Sequence, residues 1–318
     1  MARQILDFLR AKDGFVSGED ISRELSISRA AVWKHIANLR SIGYSIEAVP
    51  HLGYKLLSIP DKLLPEEVSH NLKTKIVGKN IFYYETVTST MDMAFDLGFN
   101  AAPEGTVIFA EHQTNGRGRL GRSWLSPKGK GLYMSLLLRP KFLPQEAPKL
   151  TLMAAVSIVE AIKAQTGISA FIKWPNDILI ENKKVAGILT EIDSEPDRIK
   201  FVNIGIGVNI NSIRSLLPDA ATSLSAESKK SVCRLELTKD ILRFIEKNYL
   251  ILINDGFDSI REKWKASSSI LGRRIKLNYQ NREVSGEAQD IDMDGALLLR
   301  RDSGFIERVL SGDVIKVN

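Results

Sequence analysis

The chain has 318 residues, 44 Lys and Arg against 38 Asp and Glu, and a net charge of +6. At roughly 100–200 residues per domain this length implies two or three domains, and 44% hydrophobic with 26% charged residues excludes wholesale disorder. A lone Cys233 excludes an internal disulfide, and His35, His51, His70 and His112 are too scattered for a zinc-ligand spacing. No run approaches the roughly 18 apolar residues of a membrane span. Met1–Gly14 mixes Arg3, Asp7, Arg10 and Lys12 with apolar residues at helical spacing, unlike a signal peptide. A soluble cytoplasmic protein, away from membranes, is expected.

The chain divides by pattern. Residues 1–60 predict three helices and a hairpin. Ile5, Leu6, Phe8 and Leu9 mark an amphipathic helix stopped at Gly14, Ser17 caps a second with Ile21 and Leu25, and Ser28 caps a third over 29–41. Two short strands, Tyr44–Val49 and Tyr54–Leu57, flank the turn residues Pro50 to Gly53. That order is a winged helix-turn-helix. Pro60-Asp61 reads as a linker. Residues 62–268 predict strands at 81–84, 106–111, 132–139, 170–174, 178–181, 185–192 and 201–210, with helices at 91–97, 150–166 and 238–264. Strands follow one another without intervening helices, so a mixed sheet with packed helices is expected, an α+β class. Residues 270–318 predict short strands with turns at Asn281, Asp294-Gly295 and Ser311-Gly312, a small β-barrel.

The third helix carries Arg29, Lys34 and Arg40 and no acid. Val32, Ile36 and Leu39 share its core face, while Ala30, Lys34, Ala37, Asn38 and Ser41 gather on another side. Small residues there admit a close approach to a groove, and Lys34 or Asn38 reach phosphates or base edges. Ser28, Arg29, Ala30, Lys34 and Asn38 are the candidate DNA-binding residues. A basic helical module for protein contacts has the same composition; the wing favours DNA. A single such unit reads few base pairs, so a dimer on two half-sites is expected.

The central region holds four groups of candidate site residues. Gly116-Arg117-Gly118-Arg119-Leu120-Gly121-Arg122 alternates glycine and arginine after a predicted strand, and five basic residues with no acid lie between Asn115 and Gly131. Glycine lets backbone N–H groups face an anion, and arginine supplies forked donors for phosphate or carboxylate. An exposed loop touching nucleic acid non-specifically has the same signature. Gly187, Gly205 and Gly207 lie inside strand patterns, where a ligand's close approach or, more commonly for any one glycine, a β-bulge or barrel-like bend explains them. Lys184 starts one of those strands and would place an ammonium at the pocket mouth. Lys173-Trp174-Pro175-Asn176-Asp177 offers a cation, an amide and a carboxylate; Asn176 and Asp177 suit Mg²⁺ arriving on nucleotide phosphates, or a plain turn. At Ser89-Thr90 one hydroxyl is expected to cap the following helix and the other to stay free for a ligand.

The order Ser89-Thr90, GRGRLGR at 116–122, KWPND at 173–177, KVAGIL at 184–189 and GIGVNIN at 205–211 resembles bacterial biotin–protein ligase. With the winged helix, the likeness spans essentially the whole chain and is to the bifunctional form that also represses the biotin operon. The resemblance implies a class II synthetase-like central domain and an SH3-like C-terminal barrel. It implies activation of biotin with MgATP to biotinyl-5′-AMP, then transfer to a lysine of the biotin carboxyl carrier protein of acetyl-CoA carboxylase. It also implies operator DNA as partner and a homodimer promoted by the adenylate, which is both intermediate and corepressor. By the same resemblance, Ser89, Thr90, Gln113 and the backbone at Arg117 and Gly118 recognise the ureido ring. Gly116, Gly187 and Gly205 lie against the bicycle, and Arg119 and Lys184 face the carboxylate and phosphate as the catalytic cations. Arg122, Trp124, Lys173, Asn176 and Asn209 fall on the ATP side, with Asp177 as the candidate metal ligand. Many members carry Asn after the Ser-Thr pair; here it is Met91, so Met91 stays outside the expected site. Two other functions fit parts of the pattern: a ligand-sensing transcription factor without ligase activity, and a ligase for lipoate or octanoate. Retention of Arg119 and Lys184 counts against the first, and a pocket shaped for a ureido ring against the second.

Overall fold

The computed structural model describes residues 1–280 and 282–317, so the turn residue Asn281 lies outside the described residues. The chain forms two compact units, Met1–Lys62 and Leu63–Asn318.

In the first unit α1 (Ala2–Arg10), α2 (Gly18–Leu25) and α3 (Arg29–Ser41) precede a hairpin of β1 (Ser45–Val49) and β2 (Gly53–Ser58). Serine capping sets two helix starts: Ser17 Oγ accepts from Asp20 N at 3.0 Å and Ser28 Oγ from Ala31 N at 3.1 Å. Ile5, Leu6, Leu9, Ile21, Val32, Ile36 and Leu39 are buried together, as their helical spacing requires. α1 ends at Arg10, short of the expected stop at Gly14. Val16 and Tyr54 exchange backbone hydrogen bonds at 2.8 Å, stitching the hairpin to the chain before α2. Gly53, at φ +106°, leaves room for that contact, where a methyl group would overlap the Val16 backbone.

The second unit is built on a seven-stranded sheet. Its strands are β3 (Ile81–Val87), β4 (Thr106–Gln113), β5 (Gly131–Leu138), β6 (Phe171–Lys173), β7 (Asp177–Ile180), β8 (Lys183–Glu195) and β9 (Arg198–Asn209). Their spatial order is β3-β4-β5-β9-β8-β7-β6. Only β3 and β4 run parallel, so the sheet is mixed. α5 (Thr90–Phe99) packs on β4, β5 and β9, and α6 (Ala147–Thr166) packs on β6, β7 and β8. The helix expected over 238–264 is two, α8 (Arg234–Asn254) and α9 (Asp258–Ala266). Gly256, at φ +89°, takes a left-handed conformation that an α-helix cannot continue. Two short helices were not legible in the sequence, α4 (Pro65–Ser69) and α7 (Leu224–Ser228).

The last strands, β10 (Arg274–Tyr279), β11 (Arg282–Ile291), β12 (Leu297–Arg300), β13 (Ile306–Val309) and β14 (Asp313–Val317), form an antiparallel sheet ordered β13-β12-β11-β10-β14. Among the described residues the edge strands β13 and β14 do not pair, so the ladder is not closed. This sheet belongs to the second unit: Arg261 donates to Ile291 O at 2.8 Å and Asp290 at 2.7 Å, and Trp174 Nε1 donates to Gly295 O at 3.3 Å.

A fully buried ion pair lies at the start of β5. Arg234 and Glu111 meet at 2.9 Å with side chains 0% and 3% exposed. Arg234 also donates to Gly131 O at 3.1 Å, and Glu111 accepts from Leu63 N at 3.1 Å. Removing one partner of so buried a pair would leave an uncompensated charge in the core. Arg234→Met is therefore expected to destabilise the second unit by about 3–5 kcal/mol in urea unfolding, with Glu111→Gln added to it recovering part of that loss. A double variant no more stable than Arg234→Met would contradict the pairing.

Candidate functional site

The site is centred on two paired strands. In β8 and β9, Gly187 lies opposite Gly207 and Leu189 opposite Gly205. Because side chains alternate along a strand, Gly205 and Gly207 share a face, and the three glycines make a strip without side chains. The β8–β9 register is unbroken here, so a bulge does not explain them. The space they leave is used closely. A methyl group on Gly187 would come within 3.0 Å of Trp124 Cζ3, one on Gly207 would overlap the indole, and one on Gly205 would lie 2.5 Å from Met91 Sδ.

Ser89, Thr90 and Gln113 line the cleft above this strip. Ser89 Oγ accepts from Met91 N at 3.3 Å as the α5 cap. The Thr90 hydroxyl, expected to stay free, donates to Gln113 Oε1 at 3.1 Å and accepts from Ser135 Oγ at 2.9 Å. Gln113 Nε2 donates to Ser126 Oγ at 2.9 Å, which fixes the amide. This buried network also anchors the far end of the glycine–arginine loop.

That loop is a tight hairpin, with Trp124 N donating to Gly116 O at 2.8 Å and Gly118 N to Arg122 O at 2.7 Å. Gly116 is glycine for a local reason: a methyl group would lie 2.5 Å from Trp124 O. The loop's local excess of positive charge is offset in the fold by carboxylates distant in sequence. Arg117 bridges Asp92, at 3.3 Å, and Glu191. Arg122 pairs with Asp313, and Lys128 with Glu85 at 2.9 Å. Arg119 instead donates to neutral oxygens, Asn176 Oδ1 at 2.8 Å and Gly312 O at 3.1 Å. Burial pulls its pKa below the usual arginine value, against the opposing field of Asp313 and Asp177.

Asn176 is a bracket between strands and not a plain turn residue. Its Nδ2 donates to Ile188 O at 2.9 Å, and its own carbonyl accepts from Ile188 N at 3.0 Å. Asp177 holds Lys184 Nζ at 2.6 Å, and that ammonium stands 5.4 Å from the Trp124 ring centroid. Among the described residues no cluster of three or more His, Cys, Asp or Glu could hold a metal. Asp177 is a single carboxylate already neutralised by Lys184, which fits at most one contact to a cation carried in by another molecule.

Trp124 is a wall between two cavities. On one side is the glycine-floored cleft, with Arg117, Gly118, Arg119 and Asn176 on its rim. On the other is a cavity of about 190 Å³ bounded by Ser123, Asn209, Leu217, Pro218 and Ala221. Trp124 and Lys184 are the residues common to both. The fold thus gathers Ser89, Thr90, Gln113, Arg117, Gly118, Arg119, Asn176, Lys184, Gly187 and Gly205 around the first cavity, and Trp124 and Asn209 around the second. Gly116 supports the wall without lining either. Arg122 and Lys173 line neither: Arg122 is held at Asp313, and Lys173 lies on β6 opposite Asp177. Sequence reasoning left out Met91, which is 3% exposed and lines the cleft. Its position directly after Ser89-Thr90 was the available signal. Leu217 to Ala221 carried none.

In the first unit Ser28, the cap of α3, and Arg29, Ala30, Lys34 and Asn38 on α3 are all exposed. Arg40 is not a free cation of that face: it donates to Ile46 O at 2.9 and 2.6 Å and braces the hairpin.

The glycine strip makes a checkable demand. Gly205→Ala is expected to cost about 1–3 kcal/mol in urea unfolding, because its methyl group meets Met91 Sδ. Met91→Ala should remove most of that penalty in a double-mutant cycle. Additive effects would show that the two residues do not touch.

Residues 83–211 match the Biotin/lipoate A/B protein ligase family, residues 2–55 an HTH domain, and residues 270–317 the Biotin protein ligase C terminal domain. The Bifunctional ligase/repressor BirA of Bacillus spizizenii is 43% identical over 311 residues, covering 96% of this chain and 95% of that protein. The protein of the same name from Escherichia coli is 30% identical over 309 residues, covering 96% and 94%. Among solved structures, the biotin protein ligase from Aquifex aeolicus in complex with biotin and ATP superposes with a TM-score of 0.65 at 31% identity, covering 76% of this chain and 99% of that one. On this evidence, and with the sites just described, the chain belongs to the family of bifunctional biotin–protein ligases and repressors.

Proposed function

We propose that this protein activates biotin with MgATP and passes it to a lysine of the biotin carboxyl carrier protein of acetyl-CoA carboxylase, and that it represses transcription when charged with the intermediate. The observation that carries this reading is the position of Lys184, which with Trp124 is shared by both cavities. The bicyclic ring lies on the strip of Gly187, Gly205 and Gly207, near Ser89, Thr90 and Gln113, and the adenine base lies across Trp124, beside Asn209. The acid of one ligand and the α-phosphorus of the other then meet beside Lys184 and Arg119. Trp124 and Met91 lie against the glycines and leave only about 50 Å³ over them, so both side chains must move aside to admit the ring.

No protein nucleophile is required. A biotin carboxylate oxygen attacks the α-phosphorus, the bond to the β-phosphate bridge breaks, and pyrophosphate leaves. The carrier lysine, as a free amine, then attacks the acyl carbon; the amide forms, AMP leaves, and the amine loses a proton to water. The chain's own residues orient the two reactants and neutralise the crowded negative charge, which is where catalysis by positioning and electrostatics acts. Asp177 aims the Lys184 ammonium, and Asn176 aims the Arg119 guanidinium. Mg²⁺ enters as part of the nucleotide substrate, and Asp177 offers it one carboxylate contact.

Function then divides along the chain: DNA recognition in 1–60, biotin and ATP chemistry in 62–268, and support of the glycine–arginine loop by 270–318 through Gly312 and Asp313. In this scheme the protein works in the cytoplasm, and biotinyl-5′-AMP promotes a homodimer that spans two operator half-sites. The basic, acid-free α3 supports the DNA role, with Arg29, Lys34 and Asn38 exposed on it.

Lys184→Ala is expected to slow pyrophosphate release from biotin and ATP by about 10²–10³-fold, the usual cost of removing one charge-stabilising donor. A near-normal rate would remove Lys184 from the reaction. Affinity for operator DNA should rise by at least about tenfold when biotin and ATP are supplied together, because two half-sites are then engaged at once. Equal affinity without them would defeat the corepressor scheme.

A further inference from the structure

Of the exposed large apolar side chains on the DNA-reading unit, among them Leu52 and Leu57, Trp33 is the largest and the most exposed. Trp33 is 66% exposed in the middle of α3, whereas its neighbours Val32 and Ile36 are 1% exposed. At about 100° per residue it stands on the flank between the core face and the outermost face, beside Arg29. There it lines a groove of about 690 Å³ with Arg29 and Ala30 from the same helix, Pro50 and His51 from the hairpin turn, and Glu19 from α2.

We infer that Trp33 is a specificity-determining residue of the DNA contact, its indole packing on the C5-methyl group of a thymine in the major groove. The inference rests on the DNA-binding reading and refines it. A protein partner would call for a contiguous apolar patch. The groove does carry Ala48, Val49, Pro50 and Tyr54, but it also holds Arg29, Glu19 and His51, Lys34 follows the indole on the helix, and α3 carries no acid. Within the groove Glu19 repels phosphate, so base edges fit it better than backbone. On the major-groove edge of a base pair the apolar feature is the thymine methyl group, and an indole buries it while the neighbouring arginine keeps its reach to guanine or phosphate. The first half of a recognition helix is also where base contacts are made.

The test uses the full chain with biotin and ATP present. Duplexes are selected from a random pool, and each thymine of the selected duplex is replaced in turn by deoxyuridine, which lacks only the methyl group. For the wild type at least one replacement per half-site should weaken binding by about 5–10-fold. Trp33→Ala should bind the thymine duplex about tenfold less tightly and no longer distinguish thymine from uracil at that position, while Trp33→Phe keeps the distinction. An unchanged thermal midpoint for both variants excludes unfolding. Thymine-to-uracil ratios in Trp33→Ala equal to those of the wild type at every position would overturn the inference, whether or not overall affinity fell. If binding to every duplex falls equally, the indole serves the backbone or a protein contact and the inference also fails. A wild type that selects no duplex defeats the DNA-binding reading itself, a result distinct from either of these.

Discussion

The site depends on the absence of three side chains from the middle of a sheet. Gly187, Gly205 and Gly207 sit on adjacent central strands in a register that puts all three on one surface. Any larger residue there would meet Trp124 or Met91. Glycine in a strand interior gives up cross-strand packing and loses more conformational entropy on folding than other residues do. Such a sacrifice at three neighbouring points is stable because β5, β9 and β8 are otherwise fully packed, with Leu132, Met134, Ile188 and Ile206 buried around them.

Charge placement follows from the same frame. β8 begins at Lys183, so Lys184 stands at the end of the strand that also carries Gly187, three residues further on. β7 presents Asp177 to it from the neighbouring strand, where Asp177 lies opposite Gly187. Asn176, one residue before, reaches out to Arg119 on the loop. Two cations from distant parts of the chain are thereby fixed by two adjacent residues of one turn. The other arginines of the loop serve its shape: Arg117 ties it to α5 and β8, and Arg122 ties it to the C-terminal sheet. The C-terminal sheet thus contributes to the site by holding the hairpin that carries Trp124, without supplying a reacting group.

Much of this was legible in the sequence, and the exceptions share a cause. Glycines two residues apart inside an apolar run announce a strand surface kept bare, and Ser17 and Ser28 announce helix starts, because both are local rules. The mixed sheet was legible from strands that follow one another without helices. The fate of the arginines was not, because Glu191 and Asp313 lie far along the chain and only folding brings them to Arg117 and Arg122. Thr90 failed as a free hydroxyl for the same reason: its partners Gln113 and Ser135 come from other strands. Met91 was left outside the site because it stands where many members carry Asn, and Trp33 was not singled out because the core face of α3 was assigned to Val32, Ile36 and Leu39. One of them is buried, but in the cleft, and the other is not buried at all. The break between α8 and α9 at Gly256 was not read from the sequence, because the apolar periodicity continues on either side.

Lys184 and Trp124 are the two side chains that line both cavities. The most direct measurement is a crystal structure with a non-hydrolysable analogue of biotinyl-5′-AMP. In that crystal the fused ring should lie over Gly187, Gly205 and Gly207, the base on the far face of Trp124, and Lys184 Nζ within hydrogen-bonding distance of the linkage between them. An analogue bound with both ends on one side of Trp124, or with Lys184 directed away from the linkage, would contradict it.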